Sequence, residues 1–187
     1  MRIVGGNLRG RRIAVPSGRS VRPTSDRARE AVFNILAHGM GVDLHGARVL
    51  DLFAGSGAYG LEALSRGAAS AVLIDNAAPS LEAIQTNVDD LEVADRARIV
   101  RADAARLRNG ADISGPFDLA FLDPPYDEGL EAAALESLAS AGLLDEHAVC
   151  VVETRSKHDF EAPMGYAVED RRTYGQARIS FLRASSG

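Results

Sequence analysis

The sequence predicts an α/β protein with a Rossmann-like, mostly parallel sheet, and three observations carry that expectation. From Arg48 to Gly60 the chain reads RVLDLFAGSGAYG, a short apolar run of strand length broken by glycines before an alanine- and leucine-rich helical pattern. After it, strand and helix patterns alternate with short connections, the mark of a parallel sheet covered on both faces. An aspartate stands at the end of each of the first four strand patterns: Asp51, Asp75, Asp103 and Asp123. Open sheets of this kind bind ligands at the carboxyl ends of their strands, so the acidic series lies along the expected binding rim.

The elements follow in order. Ile3-Val4-Gly5-Gly6 and Arg12-Ile13-Ala14-Val15 flank a turn of Gly, Asn and Arg residues and predict a hairpin. Arg22-Pro23-Thr24-Ser25-Asp26 reads as an extended approach to a helix, with Thr24 or Ser25 as its N-cap. Ala28, Val32, Ile35 and Leu36 form the apolar stripe of that helix, and Gly39-Met40-Gly41 ends it. The central strand and glycine turn come next, then a helix from Ala58 to Arg66 stopped by Gly67. A second strand spans Ala71 to Asp75, and a second crossover helix runs from Pro79 to Leu91 with proline tolerated in its first turn. Strands are expected at Arg98 to Arg101, Phe117 to Leu122 and Val149 to Val152, with a helix from Leu130 to Ala141 between the last two. Tyr166 to Arg172 and Ala177 to Leu182 alternate as two strands joined near Gly175, antiparallel at one sheet edge. Together these make a seven-stranded sheet.

Composition sets the bounds. The 187 residues suffice for one well-buried core, and 46% hydrophobic residues describe an ordinary globular protein. No apolar segment follows Met1-Arg2 and no run approaches membrane length, which leads to the expectation of a cytoplasmic protein that engages no membrane. Cys150 is the single cysteine, set among valines, and is expected to be structural. The four histidines lack metal-ligand spacing, so no metal is expected. The net charge of -5 conceals a division: residues 1 to 30 hold eight arginines against Asp26 and Glu30, +6 locally, leaving about -11 elsewhere. Arginine forks suit phosphate oxygens, and Arg9, Arg11, Arg12, Arg19, Arg22 and Arg27 are the candidate RNA contacts.

Gly55, Gly57 and Gly60 match G-x-G-x-x-G, and Asp75 follows about 20 residues after the first glycine. That pattern alone serves nicotinamide cofactors and S-adenosylmethionine equally, since both carry an adenosine. Asp51, four positions before Gly55, separates them. It would repel a pyrophosphate at about 4 Å by roughly 1 to 4 kcal/mol and attract a cationic amino-acid group instead. Asp123-Pro124-Pro125-Tyr126 separates them further, because it has no place in hydride transfer. Two prolines stiffen the loop and fix the direction of the Pro124 carbonyl. A base amine is a poor nucleophile while its lone pair is delocalised. Hydrogen bonds from its two N–H groups to the Asp123 carboxylate and the Pro124 carbonyl favour a pyramidal nitrogen that can attack a sulfonium methyl. Tyr126 stacks on the base for roughly 1 to 3 kcal/mol, offsetting part of the cost of extruding it. Asp51 is assigned to the methionine end of the cofactor, Asp75 to the ribose and Asp103 to the adenine amine, with Phe53, Ala54, Asn76 and Ala104 lining the same pocket. On the residues alone the acceptor can be an adenine N6 or a guanine N2 amine, and a non-catalytic RNA-binding assembly factor with a cofactor pocket is a third reading.

The DLFAGSGAYGLEALSRGA segment, DPPY, and the N-terminal MRIVGGNLRGRRIAVP with RPTSDRAREAVFNIL together resemble the bacterial 16S ribosomal RNA guanine-N2 methyltransferase family. The likeness runs to Tyr174-Gly175-Gln176, over almost the whole chain. It implies a class I S-adenosylmethionine-dependent methyltransferase fold at residues 41–187 with an RNA-binding extension at residues 1–40. It also implies a guanine amine as acceptor and the 30S subunit or its assembly intermediate as partner; a particle-binding enzyme of this size is expected to be a monomer. Tyr59 stands where the family commonly has leucine and Asp75 where it often has glutamate; neither removes a required group.

Overall fold

The computed structural model describes residues 1–16, 25–125, 129–158 and 160–185. Their strands form one sheet in the order β3-β2-β1-β4-β5-β7-β6. β1 (Arg48–Leu52), β2 (Ser70–Asp75), β3 (Ala97–Arg101), β4 (Phe117–Leu122) and β5 (Leu144–Arg155) run parallel. β6 (Tyr166–Tyr174) and β7 (Ala177–Ala184) are antiparallel, with β7 inserted between β5 and β6. The helices are α1 (Asp26–Asn34), α2 (Ala58–Ser65), α3 (Ala78–Asp90) and α4 (Leu130–Ser140). The seven strands agree with the expected architecture, although β5 begins five residues before Val149.

Alternation along the strands builds two core layers. Val49, Leu73, Leu119, Phe121 and Val151 face a layer containing Val32 and Phe33 of α1, Leu36 of the π-helical turn Ile35–Gly39 that continues it, Leu61 and Leu64 of α2, and Ile84 and Val88 of α3. Leu50, Leu52, Ala120, Leu122 and Val152 face Ala134, Leu135 and Leu138 of α4. Burial on both faces explains why these strands read as continuous apolar runs. Tyr59 lies in the first layer, its ring stacked on Phe121 at 4.6 Å between centroids. Cys150 is fully buried, and burial pushes its thiol up to about 12, as suits a structural residue.

Ser25 caps α1, its side chain accepting from the Ala28 N–H at 3.1 Å. The expected N-terminal hairpin is reduced to a single antiparallel bridge between Arg2 and Arg12, flanked by Ile3 N–H to Arg11 O and Ile13 N–H to Met1 O, each 3.0 Å. The ladder cannot lengthen, because the next donors are used elsewhere. Val4 N–H and Gly5 N–H each donate to the Glu62 carboxylate at 2.8 Å, and Leu8 N–H donates to Ser65 Oγ at 2.9 Å. The arm is thus laid along α2, and Ile3 and Ile13 enter the first core layer.

Arg29 departs from the simple reading of a basic surface. Its side chain is fully buried, with Nε 3.5 Å from Glu62 and an Nη2 bond to Asp26 at 3.0 Å; Nη2 also donates to the Arg2 carbonyl. One of the eight N-terminal arginines is therefore a structural anchor between arm, α1 and α2.

Candidate cofactor and methyl-acceptor site

β1 ends beneath the glycine turn, and two carboxylates hold that turn from below. Asp51 is 2% exposed and accepts the Gly60 N–H at 2.9 Å. Asp75, at the end of β2, accepts the Gly55 N–H through Oδ2 and the Ala77 N–H through Oδ1, both at 2.9 Å. Gly55 and Gly57 have φ of 59° and 76°, a region that glycine adopts without the penalty of a side chain. A Cβ on Gly60 would fall 2.3 Å from Leu73 Cδ2 and 3.3 Å from Asp51 Cβ, so the third glycine permits close seating of α2 on the sheet. Phe53 also has positive φ, 59°, an unusual conformation for a bulky residue that no sequence pattern announced. It sits at the strand exit, where such backbone conformations collect at ligand sites.

The other assigned residues lie along the same rim. Ala54 N–H bonds Ile74 O across the neighbouring strand at 2.9 Å, Asn76 is exposed, and Ala104 is buried. Asp103 caps the short turn Ala104–Arg106 by accepting the Ala105 N–H at 3.0 Å. Asp123 continues β4 beside β1, its N–H 3.5 Å from the Leu52 carbonyl, and Pro124 is buried behind it. Asp51, Asp75, Asp103 and Asp123 thus lie near the carboxyl ends of four adjacent strands. Tyr126, Arg19 and Arg22 lie outside the described residues. Arg9, Arg11, Arg12 and Arg27 are exposed, and the Arg11 guanidinium reaches the Asp90 carbonyl at the end of α3.

Electrostatics mark this rim out. Burial pushes the Asp51 carboxyl up to about 8; the Gly60 N–H opposes the shift and the charge of Asp75 adds to it. Asp123 is raised well above the usual carboxylate range, first by burial and then by Glu153 and Asp51. Carboxyls raised this way await a cation or a set of donors. The linkage is definite in sign. The unfolded Asp51 ionises near 3.8 and the folded one near 8, so its contribution to stability is complete below about pH 4 and is lost as pH rises through 8. An Asp51→Asn variant is expected to show a flatter stability profile between pH 4 and 8 by urea unfolding; a slope equal to wild type contradicts the assignment.

Two structural residues of the site escaped the sequence reading. Asn87 of α3 is 1% exposed and ties the glycine turn to the arm: Nδ2 donates to Ser56 O at 2.8 Å and Ala14 O at 2.9 Å, while Oδ1 accepts Ala14 N–H at 2.7 Å. Glu62, fully buried, gathers the arm, Arg29 and Arg66, whose Nε lies 2.7 Å away. Both are polar residues on helix faces that otherwise bury apolar side chains, and that interruption was their available signal.

A β3-β2-β1-β4-β5-β7-β6 sheet, with a glycine turn after β1 and acidic ends on β1 to β4, defines the class I methyltransferase fold. Residues 1–183 match the family described as Conserved hypothetical protein 95, and the chain belongs to it. It is 38% identical to ribosomal RNA small subunit methyltransferase D of Escherichia coli K12, over 94% of this chain and 86% of that one. The enzyme of the same name from Haemophilus influenzae is 30% identical over 94% of this chain and 89% of its own length. Among solved structures, yhhF of Escherichia coli, provisionally described as a methyltransferase, superposes with a TM-score of 0.82 at 34% identity, covering 100% of this chain and 99% of that one. The family resemblance read from the sequence is borne out.

Proposed function

We propose that the protein transfers a methyl group from S-adenosylmethionine to the exocyclic N2 of a guanine in 16S ribosomal RNA within the 30S subunit or its assembly intermediate. The observation that carries this reading is the placement of Asp123 and Pro124 at the end of β4, directly beside the strand whose exit forms the glycine turn. The similarity to ribosomal RNA small subunit methyltransferase D supports the substrate class.

The residues present suit the cofactor. Asp51 is a buried carboxyl whose raised value falls when a cationic ammonium approaches, and Asp75 keeps unused acceptor capacity on each oxygen for ribose hydroxyls. Asp103 stands one strand further out for the adenine amine. Bound S-adenosylmethionine supplies an electrophilic sulfonium methyl. Asp123 and the Pro124 carbonyl accept the two N2–H bonds of the guanine and turn its lone pair toward that methyl. Held by Asp51, Asp75 and Asp103, the bound cofactor would supply its methyl group to N2, and the surplus proton of the amine would leave to solvent. Pro125 stiffens the loop, and Tyr126, outside the described residues, is the expected stacking partner of the extruded base.

Because cofactor binding drives Asp51 to ionise, affinity for S-adenosylmethionine is expected to weaken as pH falls from 8 to 6, by up to about tenfold per pH unit. Calorimetric titration across that range checks it, and a flat profile contradicts the Asp51 assignment. The arm, residues 1–40 in this reading, grips RNA through Arg9, Arg11, Arg12 and Arg27; Arg19 and Arg22, outside the described residues, are the other expected contacts. If four arginines meet phosphates of a single strand, raising salt from roughly 50 to 200 mM weakens binding about 50-fold. Filter binding measures this, and salt-independent affinity removes the arm from the interface. The function itself is tested by labelled methyl transfer to 30S particles from a strain lacking the gene: incorporation into 16S RNA is expected, and absence of label despite cofactor binding would point to a non-catalytic assembly factor.

A further inference from the structure

Asp-Pro-Pro chemistry activates a base amine but does not say which base is offered. The strand register brings a second acidic residue to that point. Leu122 of β4 pairs with Val152 of β5, so the next positions along these parallel strands are Asp123 and Glu153. Side chains alternate between faces. Phe121 and Val151 face the layer under α1 to α3 while Leu122 and Val152 face α4, so residues 123 and 153 return together to the first face. Adjacent strands lie about 4.8 Å apart. Glu153 is 3% exposed, and after burial its charge is the largest cause of the raised Asp123 value.

We propose that Glu153 is a specificity-determining residue that accepts the N1–H of the target guanine while Asp123 and the Pro124 carbonyl hold its N2 amine. The proposal rests on the guanine-N2 reading above and deepens it. Guanine presents three donors in a row, one on N1 and two on N2, and these meet three acceptors. Adenine presents two donors on N6 followed by a lone pair on N1. That lone pair opposes a carboxylate, so the same loop with Glu153 beside it rejects adenine. A site built to bond a donor discriminates strongly against an analogue that lacks it, because its own buried polar group is left unmatched.

The test replaces the target guanine, in RNA reconstituted into 30S particles, by 2-aminopurine. That base keeps the 2-amino group but carries a bare acceptor at N1. The wild-type enzyme is expected to favour guanine by at least about 100-fold in kcat/KM. Glu153→Gln, whose amide can donate to bare N1, is expected to narrow that preference at least about tenfold without changing cofactor affinity, a change that a merely structural role does not produce. Comparable wild-type rates on the two bases overturn the proposal. So does an unchanged preference in a Glu153→Gln enzyme that still methylates guanine. If the variant does not fold, the wild-type ratio decides. Failure of the wild type to methylate guanine at all counts against the guanine-N2 reading rather than against Glu153.

Discussion

Replacing Asp123 by alanine is expected to lower methyl transfer about 10²- to 10³-fold while leaving S-adenosylmethionine binding within about threefold of wild type. The carboxylate is assigned to an N–H of the acceptor amine, and the amine becomes nucleophilic only as its lone pair leaves conjugation with the ring. Loss of one of two acceptors removes an interaction that strengthens toward the transition state, which lowers kcat rather than raising KM. The cofactor's own contacts are assigned to Asp51, Asp75 and Asp103 on the neighbouring strands, so its affinity is spared. Alanine also relieves a buried, raised carboxyl, so the variant should fold at least as well as wild type. Single-turnover transfer and equilibrium dialysis separate the two quantities. A variant with full transfer activity contradicts the catalytic assignment.

The second large effect is on stability. Glu62→Ala is expected to cost about 3 to 5 kcal/mol, because it leaves the buried Arg29 guanidinium without its buried partner. It also strips Val4 N–H, Gly5 N–H and Arg66 Nε of their acceptor. At this chain length a loss of that size lowers Tm by about 10 °C. Urea unfolding of wild type and variant measures it. The double variant Glu62→Leu with Arg29→Met should recover much of the loss, since an apolar pair can replace a buried ion pair. A single-variant cost below about 1 kcal/mol would mean that the arm is only loosely tied to α2.

These two residues show where sequence patterns speak and where they fall silent. Asp123 is legible because proline restricts its neighbours whatever the tertiary context, and because its strand is a plain apolar run. The glycine turn is legible for the same reason: local backbone demands are written locally. Glu62 and Asn87 are not, since their partners lie 57 or more residues away in Val4 and Gly5 and 73 away in Ala14. Arg29 looked like one more charge in a basic run, and only packing of α1 against α2 makes it an anchor. The shortened N-terminal ladder has the same origin, because a carboxylate on α2 outcompetes the opposing strand for two backbone donors. Glu153 was hidden inside an apolar strand until the β4–β5 register placed it beside Asp123.

The central claim is the acceptor atom, and nucleoside analysis of the labelled product tests it most directly. 30S particles lacking the modification are incubated with the protein and methyl-labelled S-adenosylmethionine, and their 16S RNA is digested and separated by chromatography. Label in N2-methylguanosine is the predicted result. Label in N6-methyladenosine would preserve the chemistry of the Asp123-Pro124 loop and contradict guanine as the base it receives.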